Sequence, residues 1–215
     1  MYCNYKIYYN NSFVLFTGDR SQINKNFAKI FILQQEIEAF QNNTDFLFDI
    51  KNDINILVVC EKPGELMCGF IESLDIIVAG GGIVTNENDE ILLIFRRGKW
   101  DMPKGKIELR EGIADGAKRE VTEETGVRIA EISPKPCITY HAYKLKGRPC
   151  LKETSWFNMK AEPGQTDLQP QKEEDIEKAI WVKKGDLKNY KEGCFTMIWD
   201  LLAPYADAQT TTTGA

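Results

Sequence analysis

Three glutamates, Glu120, Glu123 and Glu124, crowd into one short stretch of a 215-residue chain. At 100° per residue in a helix they fall at about 0°, −60° and 40°, an arc roughly 100° wide on which their oxygens can converge. Like charges at that spacing repel one another unless a cation sits among them. Arg119 stands i, i+4 from Glu123 and is placed to orient it without taking up the other two acids. Carboxylate oxygens with no Cys or His beside them select a hard cation, Mg²⁺ with Mn²⁺ as a substitute, which keeps waters and shares its shell with phosphates. A single histidine, His141, excludes zinc sites built on His pairs and leaves Ser-His-Asp or Cys-His catalysis to rest on that residue alone.

Just upstream the charge reverses. Arg96, Arg97, Lys99, Lys104, Lys106 and Arg110 are opposed only by Asp101 and Glu108. A basic run leading into an acidic one is the pattern expected where an anionic substrate meets a metal held by acids. Gly80, Gly81 and Gly82 invite a phosphate-loop reading, but neither the P-loop string nor the Rossmann spacing follows them. They are expected to permit close backbone approach within a strand, near a substrate phosphate.

Gly105, Glu111, Arg119-Glu120-Val121, Glu123-Glu124 and Gly126-Val127 stand at the spacing G-x5-E-x7-R-E-U-x-E-E-x-G-U, with U aliphatic. At every defining position the stretch resembles the signature of the Nudix hydrolases, and the resemblance runs from about Leu74 to Tyr205. It implies an α/β fold, an α/β/α sandwich with a mixed sheet, and hydrolysis of a nucleoside diphosphate linked to another group. It assigns metal coordination to Glu120, Glu123 and Glu124, helped by a backbone carbonyl near Lys104 or Gly105. Glu111 and Arg119 support that geometry by pairing with each other or with the metal-binding acids, and Gly126 ends the helix, as a C-cap glycine does. Arg96, Arg97 and Lys104 are expected on the substrate, with solvent as the alternative for one of the two arginines, which alternate on a strand. Glu174, with Glu173 just before the strand of "QKEEDIEKAIWV", is the expected auxiliary ligand or base, as in many members of the family.

Two features lean toward (di)nucleoside polyphosphates. "WDMPKGKIE" resembles the W-x-x-P-K-G approach of dinucleoside polyphosphate hydrolases, and Tyr143 stands where a tyrosine marks that group and a proline the ADP-ribose group. ADP-ribose or nucleotide-sugar hydrolysis is the alternative substrate class. A non-catalytic nucleotide-sensing module is the alternative of another kind, though such modules often lose box glutamates, which this chain keeps. Isomerisation of isoprenoid diphosphates would need a placed cysteine, and nothing singles out Cys137 or Cys150.

The elements that must position these residues follow from periodicity. Strands are expected in "DIIVAGGGIVT", "EILLIFRR", "WDMPKGKIE", "VRIAEISPKPCITYHAY", "CLKETSWFNMK" and "IEKAIWV", with the glutamate helix after the third. Ile113, Ala117 and Val121 form the ridge that turns that helix toward the protein body. A loop from Glu162 to Lys172 and helices at Asp186–Tyr190 and Phe195–Leu202 complete a domain over 74–205. Residues 1–73 read as a small α+β domain of unknown role. It has a hairpin around Asn10-Asn11, a helix-period stretch with Phe27, Ile30, Phe31, Ile37 and Phe40, the strand "INILVV", and a short helix after Pro63. This unit is expected to cover part of the cleft or to make a homodimer contact. Residues 206–215 read as a mobile tail.

A net charge of −5 argues against stable nucleic-acid binding, and no apolar run is long enough to span a bilayer. With no signal-peptide pattern at the start and six cysteines without paired spacing, a cytoplasmic protein with reduced, mostly buried thiols is expected. Its partner is then a small-molecule nucleotide.

Overall fold

The computed structural model describes residues 4–24, 27–32, 48 and 54–207. The chain divides into two compact units, Met1–Ile77 with Thr139–Glu153, and Val78–Ile138 with Thr154–Ala215. No helix among the described residues is long and apolar enough to cross a membrane.

In the first unit, β1 (Asn4–Tyr9) and β2 (Ser12–Thr17) form an antiparallel hairpin with Ile7 opposite Val14. The turn begins at Asn10 with φ 53°, a left-handed conformation that asparagine tolerates better than most residues. The strand β3 (Lys29–Ile32) pairs in parallel with β4 (Asn55–Val59), which pairs in parallel with β2. The helix-period reading therefore fails for Ile30 and Phe31. Four residues of an apolar run fit either element, and parallel pairing with Ile56–Val59 decides for the strand. Ile37 and Phe40 lie outside the described residues. The helix α1 (Pro63–Ile71) starts on Pro63, whose fixed φ suits a first turn, and buries Leu66, Met67 and Phe70 against Ile7, Val14, Phe16 and Val58.

The second unit is built on β5 (Asp75–Thr85) and β6 (Glu90–Arg96), with short strands β7 (Lys99–Asp101) on β6 and β8 (Lys104–Lys106) on β5. The helix α2 (Ile113–Thr125) and β9 (Ile129–Ile132) follow. Next are β10 (Cys137–Leu145), β11 (Arg148–Ala161) and β12 (Ile176–Lys183). Strand order in this unit is β12-β6-β5-β11, and in the first it is β10-β1-β2-β4-β3. Ile91, Leu92, Leu93 and Ile94 are all fully buried, so β6 is covered on both faces, which is why its sequence is a continuous apolar run. A mixed sheet with few helices is the expected α/β architecture. The stretch Asp186–Tyr190 is not α-helical but lies inside a 3-10 segment, Lys184–Gly193, and the closing helix α3 spans Thr196–Asp207. Most of the expected tail, 208–215, lies outside the described residues. The five described cysteines are free thiols, Cys60, Cys150 and Cys194 buried, Cys68 and Cys137 exposed.

The glycine run is explained by packing. A Cβ on Gly81 would sit 2.5 Å from Lys104 Cβ and 2.6 Å from Pro103 O, because β8 pairs there, Gly81 opposite Lys104. A Cβ on Gly80 would meet Ala117 Cβ at 3.0 Å, so the same run lets α2 settle onto the strand.

Gly81→Ala should therefore lower unfolding free energy by about 2 kcal/mol, since backbone must move to admit the methyl group. Gly185→Ala, with nothing within 4 Å of its Cβ, serves as the neutral control. Urea denaturation of both variants tests this, and a Gly81→Ala midpoint equal to wild type would contradict the packing argument.

Candidate active site

The apolar face of α2 buries Ala117 and Val121 among Val84, Leu92, Phe157 and Met159, which turns the acidic arc along one edge. The expected ridge is shorter than its spacing predicts, because Ile113 at the first turn is 41% exposed. Gly126 closes the helix at φ 76°, its N–H donating to Thr122 O at 2.8 Å.

Arg119 is the hub. Its Nε and Nη2 donate to Glu111 Oε1 and Oε2 at 2.8 and 2.9 Å, a bidentate pair. Its Nη1 donates to both Glu120 Oε1 at 2.9 Å and Glu123 Oε2 at 2.8 Å, and Nη2 also reaches Lys106 O at 3.1 Å. Arg119 thus takes up Glu120 as well as Glu123, against the expectation that it would orient Glu123 alone. A guanidinium has enough N–H donors for all these acceptors, and Glu120 is its direct neighbour in the chain. The same contacts hold the Glu111 carboxyl down at about 2, chiefly through the Arg119 hydrogen bonds and then the Glu108 N–H. The loop carrying Glu111 folds back so closely that a Cβ on Gly116 would meet Glu111 Oε2 at 2.7 Å and Ile107 Cδ1 at 2.6 Å. That contact accounts for a glycine in the middle of a helix.

Glu124 differs from its neighbours. It is 2% exposed, accepts the Lys104 N–H at 2.9 Å on Oε2, and faces Arg96 Nη1 at 3.3 Å on Oε1. Burial pushes its carboxyl up to about 7, with Lys104 and Arg96 pulling the other way and Asp101 adding to the rise. The Glu120 carboxyl is also raised by burial, held back by Arg119 and pushed further by the charges of Glu123 and Glu174. Glu120 lies directly against Gly105, where a Cβ would fall 1.9 Å from Oε2.

The remaining expected residues separate. Arg96, at the end of β6, reaches the buried end of the acidic arc. Arg97 turns away and pairs with Asp175 at 2.9 Å, both side chains largely exposed. Lys104 contributes its backbone N–H to Glu124, while its ammonium is held by Asp101 at 2.7 Å in a nearly buried pair. Glu174 ends a 3-10 turn, Lys172–Glu174, on a loop bound to the end of α2 by Gln169 N–H to Thr125 O at 2.8 Å and Gln171 N–H to Glu124 O at 3.1 Å. Tyr143 belongs to the first unit, its ring 5.9 Å from that of His141 two residues away on β10. Sequence reasoning missed Asp101, whose i, i+3 spacing to Lys104 was the available signal. It also missed Asp175, Gln169 and Gln171, whose partners are remote in sequence.

Among the described residues, no three acidic, His or Cys side chains close around one point as a finished metal cage. The donor set nonetheless fits a hard divalent cation: three carboxylates on one helix edge, and a glycine whose missing side chain leaves Glu120 against the backbone at Gly105.

The NUDIX domain family model matches residues 76–196. The chain is similar to the m7GpppN-mRNA hydrolase dcap-2 of Caenorhabditis elegans, 30% identical over 153 residues, covering 68% of this chain and 19% of that protein. It is also similar to a MutT-like protein of Streptomyces ambofaciens, 43% identical over 76 residues, 34% of this chain and 47% of that protein. The chain thus spans less than half the length of these curated relatives. Among solved structures it is similar to a NUDIX hydrolase from Nitrosomonas europaea, with TM-score 0.48 and 26% identity, covering 63% of this chain and 72% of that one.

The burial of Glu124 sets a pH dependence of stability. A carboxyl raised from 4.5 to about 7 in the folded state keeps its proton while the unfolded chain has lost it, so stability falls as pH rises through that window. The loss attributable to Glu124 is about 3 kcal/mol. Glu111, shifted the other way, contributes stability that is complete above its ordinary value and is lost only as pH falls below it, which leaves this window untouched. Urea unfolding in chelator at pH 5 and pH 8 should show a steeper loss for wild type than for Glu124→Gln. Equal losses would mean that Glu124 is not buried as described.

Proposed function

Because this chain belongs to the Nudix family, we propose that it is a magnesium-dependent pyrophosphohydrolase acting on a nucleoside diphosphate linked to another group, with (di)nucleoside polyphosphates as the preferred class. The observation that carries this reading is the contrast on α2. Glu120 and Glu123 are held by Arg119 at one end of the arc, while Glu124 is buried against Arg96 and the Lys104 N–H at the other.

Glu120, Glu123 and Glu124, with the backbone carbonyl at Gly105, would hold Mg²⁺, or Mn²⁺ in its place. When bound, such an ion neutralises a pyrophosphate and makes a water nucleophilic near neutral pH. Arg96 meets phosphate oxygens beside Glu124, and its guanidinium matches their geometry. Lys104, tied to Asp101, sets the backbone N–H that orients Glu124 and keeps its ammonium off the phosphates. Arg119 and Glu111 keep the helix and the preceding loop in one geometry. The Glu174 carboxylate, close enough that its charge acts on Glu120, takes the proton of the attacking water.

The relative named as an m7GpppN-mRNA hydrolase supports a second reading, a 5′ cap on RNA, which has the same chemical form of a nucleotide joined through phosphates to another group. The intact set of box glutamates speaks against a non-catalytic sensing module.

A panel of diadenosine polyphosphates, nucleoside triphosphates, ADP-ribose, a nucleotide sugar and capped RNA, each with millimolar magnesium and product chromatography, tests the proposal. Diadenosine polyphosphates should be cleaved fastest, with no product after chelation. Glu124→Gln should lower kcat by about a thousandfold in a folded protein. Gly105→Ala should also fold yet lose most activity, because the added methyl group displaces Glu120. Chelator-resistant hydrolysis would sink the metal assignment, and tight binding without turnover would favour a sensing module.

A further inference from the structure

Arg97 is an unusual residue for its left-handed backbone, whereas Asp175 is one of the side chains that tolerate that conformation. Arg97 opens the two-residue turn between β6 and β7 at φ 51°, followed by Gly98 at φ 75°, with Arg96 paired to Lys99. Such a turn prefers Asn, Asp or Gly at its first position. Asp175 ends the Lys172–Glu174 turn at φ 60°. A second turn of the same kind, Lys146 at φ 51° and Gly147 at φ 83°, shows that the backbone alone carries no message. What distinguishes Arg97 is its partner. Its Nε and Nη2 both lie 2.9 Å from one oxygen of Asp175.

Asp175 lies between Glu174 and Ile176. On the far side of Glu174 the chain is bound to the end of α2 through Gln169 and Gln171. On the near side Ile176 opposes Arg96, but the β12 register slips between Ile176 and Lys178, so the ladder to β6 is interrupted just where the loop begins. The ion pair sits at that interruption. We propose that Arg97 is a positioning residue: through Asp175 it clamps the short turn that aims Glu174 at the box carboxylates, and it does not bind substrate phosphate. This rests on the assignment of Glu174 given above. The groove around the pair is lined by Arg97, Lys172, Asp175, Ile176 and Glu177, two bases and two acids, which is a poor phosphate cradle. A pair with side chains 67% and 59% exposed adds little to global stability. Its effect is local, on which conformer of a few-residue turn prevails.

The test uses the full chain and the variants Arg97→Ala, Asp175→Asn and their combination, each in wild-type and Glu174→Gln backgrounds. Amide hydrogen exchange at Glu174, Asp175 and Ile176, whose N–H groups close the turn onto Gln171 and Lys172, should speed up about three- to tenfold in either single variant. With diadenosine tetraphosphate and magnesium, kcat should fall by a similar factor with KM within about twofold, the double variant should be no worse than either single one, and Glu174→Gln should abolish the effect. The exchanged pair Arg97→Asp with Asp175→Arg should recover part of the loss. A raised KM at constant kcat in Arg97→Ala, with Asp175→Asn like wild type, would overturn the proposal and make Arg97 a phosphate ligand. If wild type turns over none of the panel, the functional reading has failed on its own. The exchange rates still decide the clamp, and unchanged exchange in Arg97→Ala rejects it.

Discussion

A planar guanidinium can serve several carboxylates at once only if the chain brings them to its edges from more than one direction, and Arg119 imposes that condition on the second unit. Glu120 and Glu123 come from its own helix, Glu111 from the loop before it and the Lys106 carbonyl from the end of β8. Like charges spaced one turn apart on α2 would otherwise destabilise the helix. The loop can reach Arg119 because Gly116 offers no side chain where Glu111 and Ile107 must lie, and β8 can run beside α2 because Gly105 offers none where Glu120 lies. The glycines around the box are thus consequences of one electrostatic arrangement.

Glu124 obeys a different constraint. It shares the helix with Glu120 and Glu123, one turn after the first and next to the second, but its side chain is turned into the core, where water is excluded. The charge and the N–H of Lys104 and the Arg96 guanidinium at 3.3 Å offset part of that burial. Carboxylates four residues apart on one helix therefore meet unlike surroundings: Glu120 at the Arg119 hub, Glu124 in the interior. A divalent cation favours the ionised form of every acid it touches, and one held at the proposed site would offset the cost of burying Glu124.

The basic run upstream is divided by the same logic. Arg96 points to Glu124, Arg97 to Asp175, and the Lys104 ammonium to Asp101. A buried pair such as Asp101 and Lys104 is costly to break from one side, because the remaining charge would stand unpaired. Six basic residues in sequence therefore do not make a six-charge phosphate surface.

The glutamate arc, the ridge of Ala117 and Val121, the C-cap at Gly126 and the strand pattern of the second unit were all legible in the sequence, because each depends on spacing within one element. Alternation and helical period are local properties, and a hard-cation donor set needs only residue type. The sharing of Arg119 among three carboxylates at once, the Asp101 partner of Lys104, which of Arg96 and Arg97 turns away, and the strand at Lys29–Ile32 were not legible. Each depends on which remote segment lies alongside: the loop folded over Gly116, β8 against Gly81, the Asp175 turn at the slipped end of β12, or β4 beside β3. Side chains that alternate along a strand or project from a turn have their directions set by the pairing of that strand. Local spacing determined which residues stand together on one element, and strand pairing and burial decided which of their charges meet.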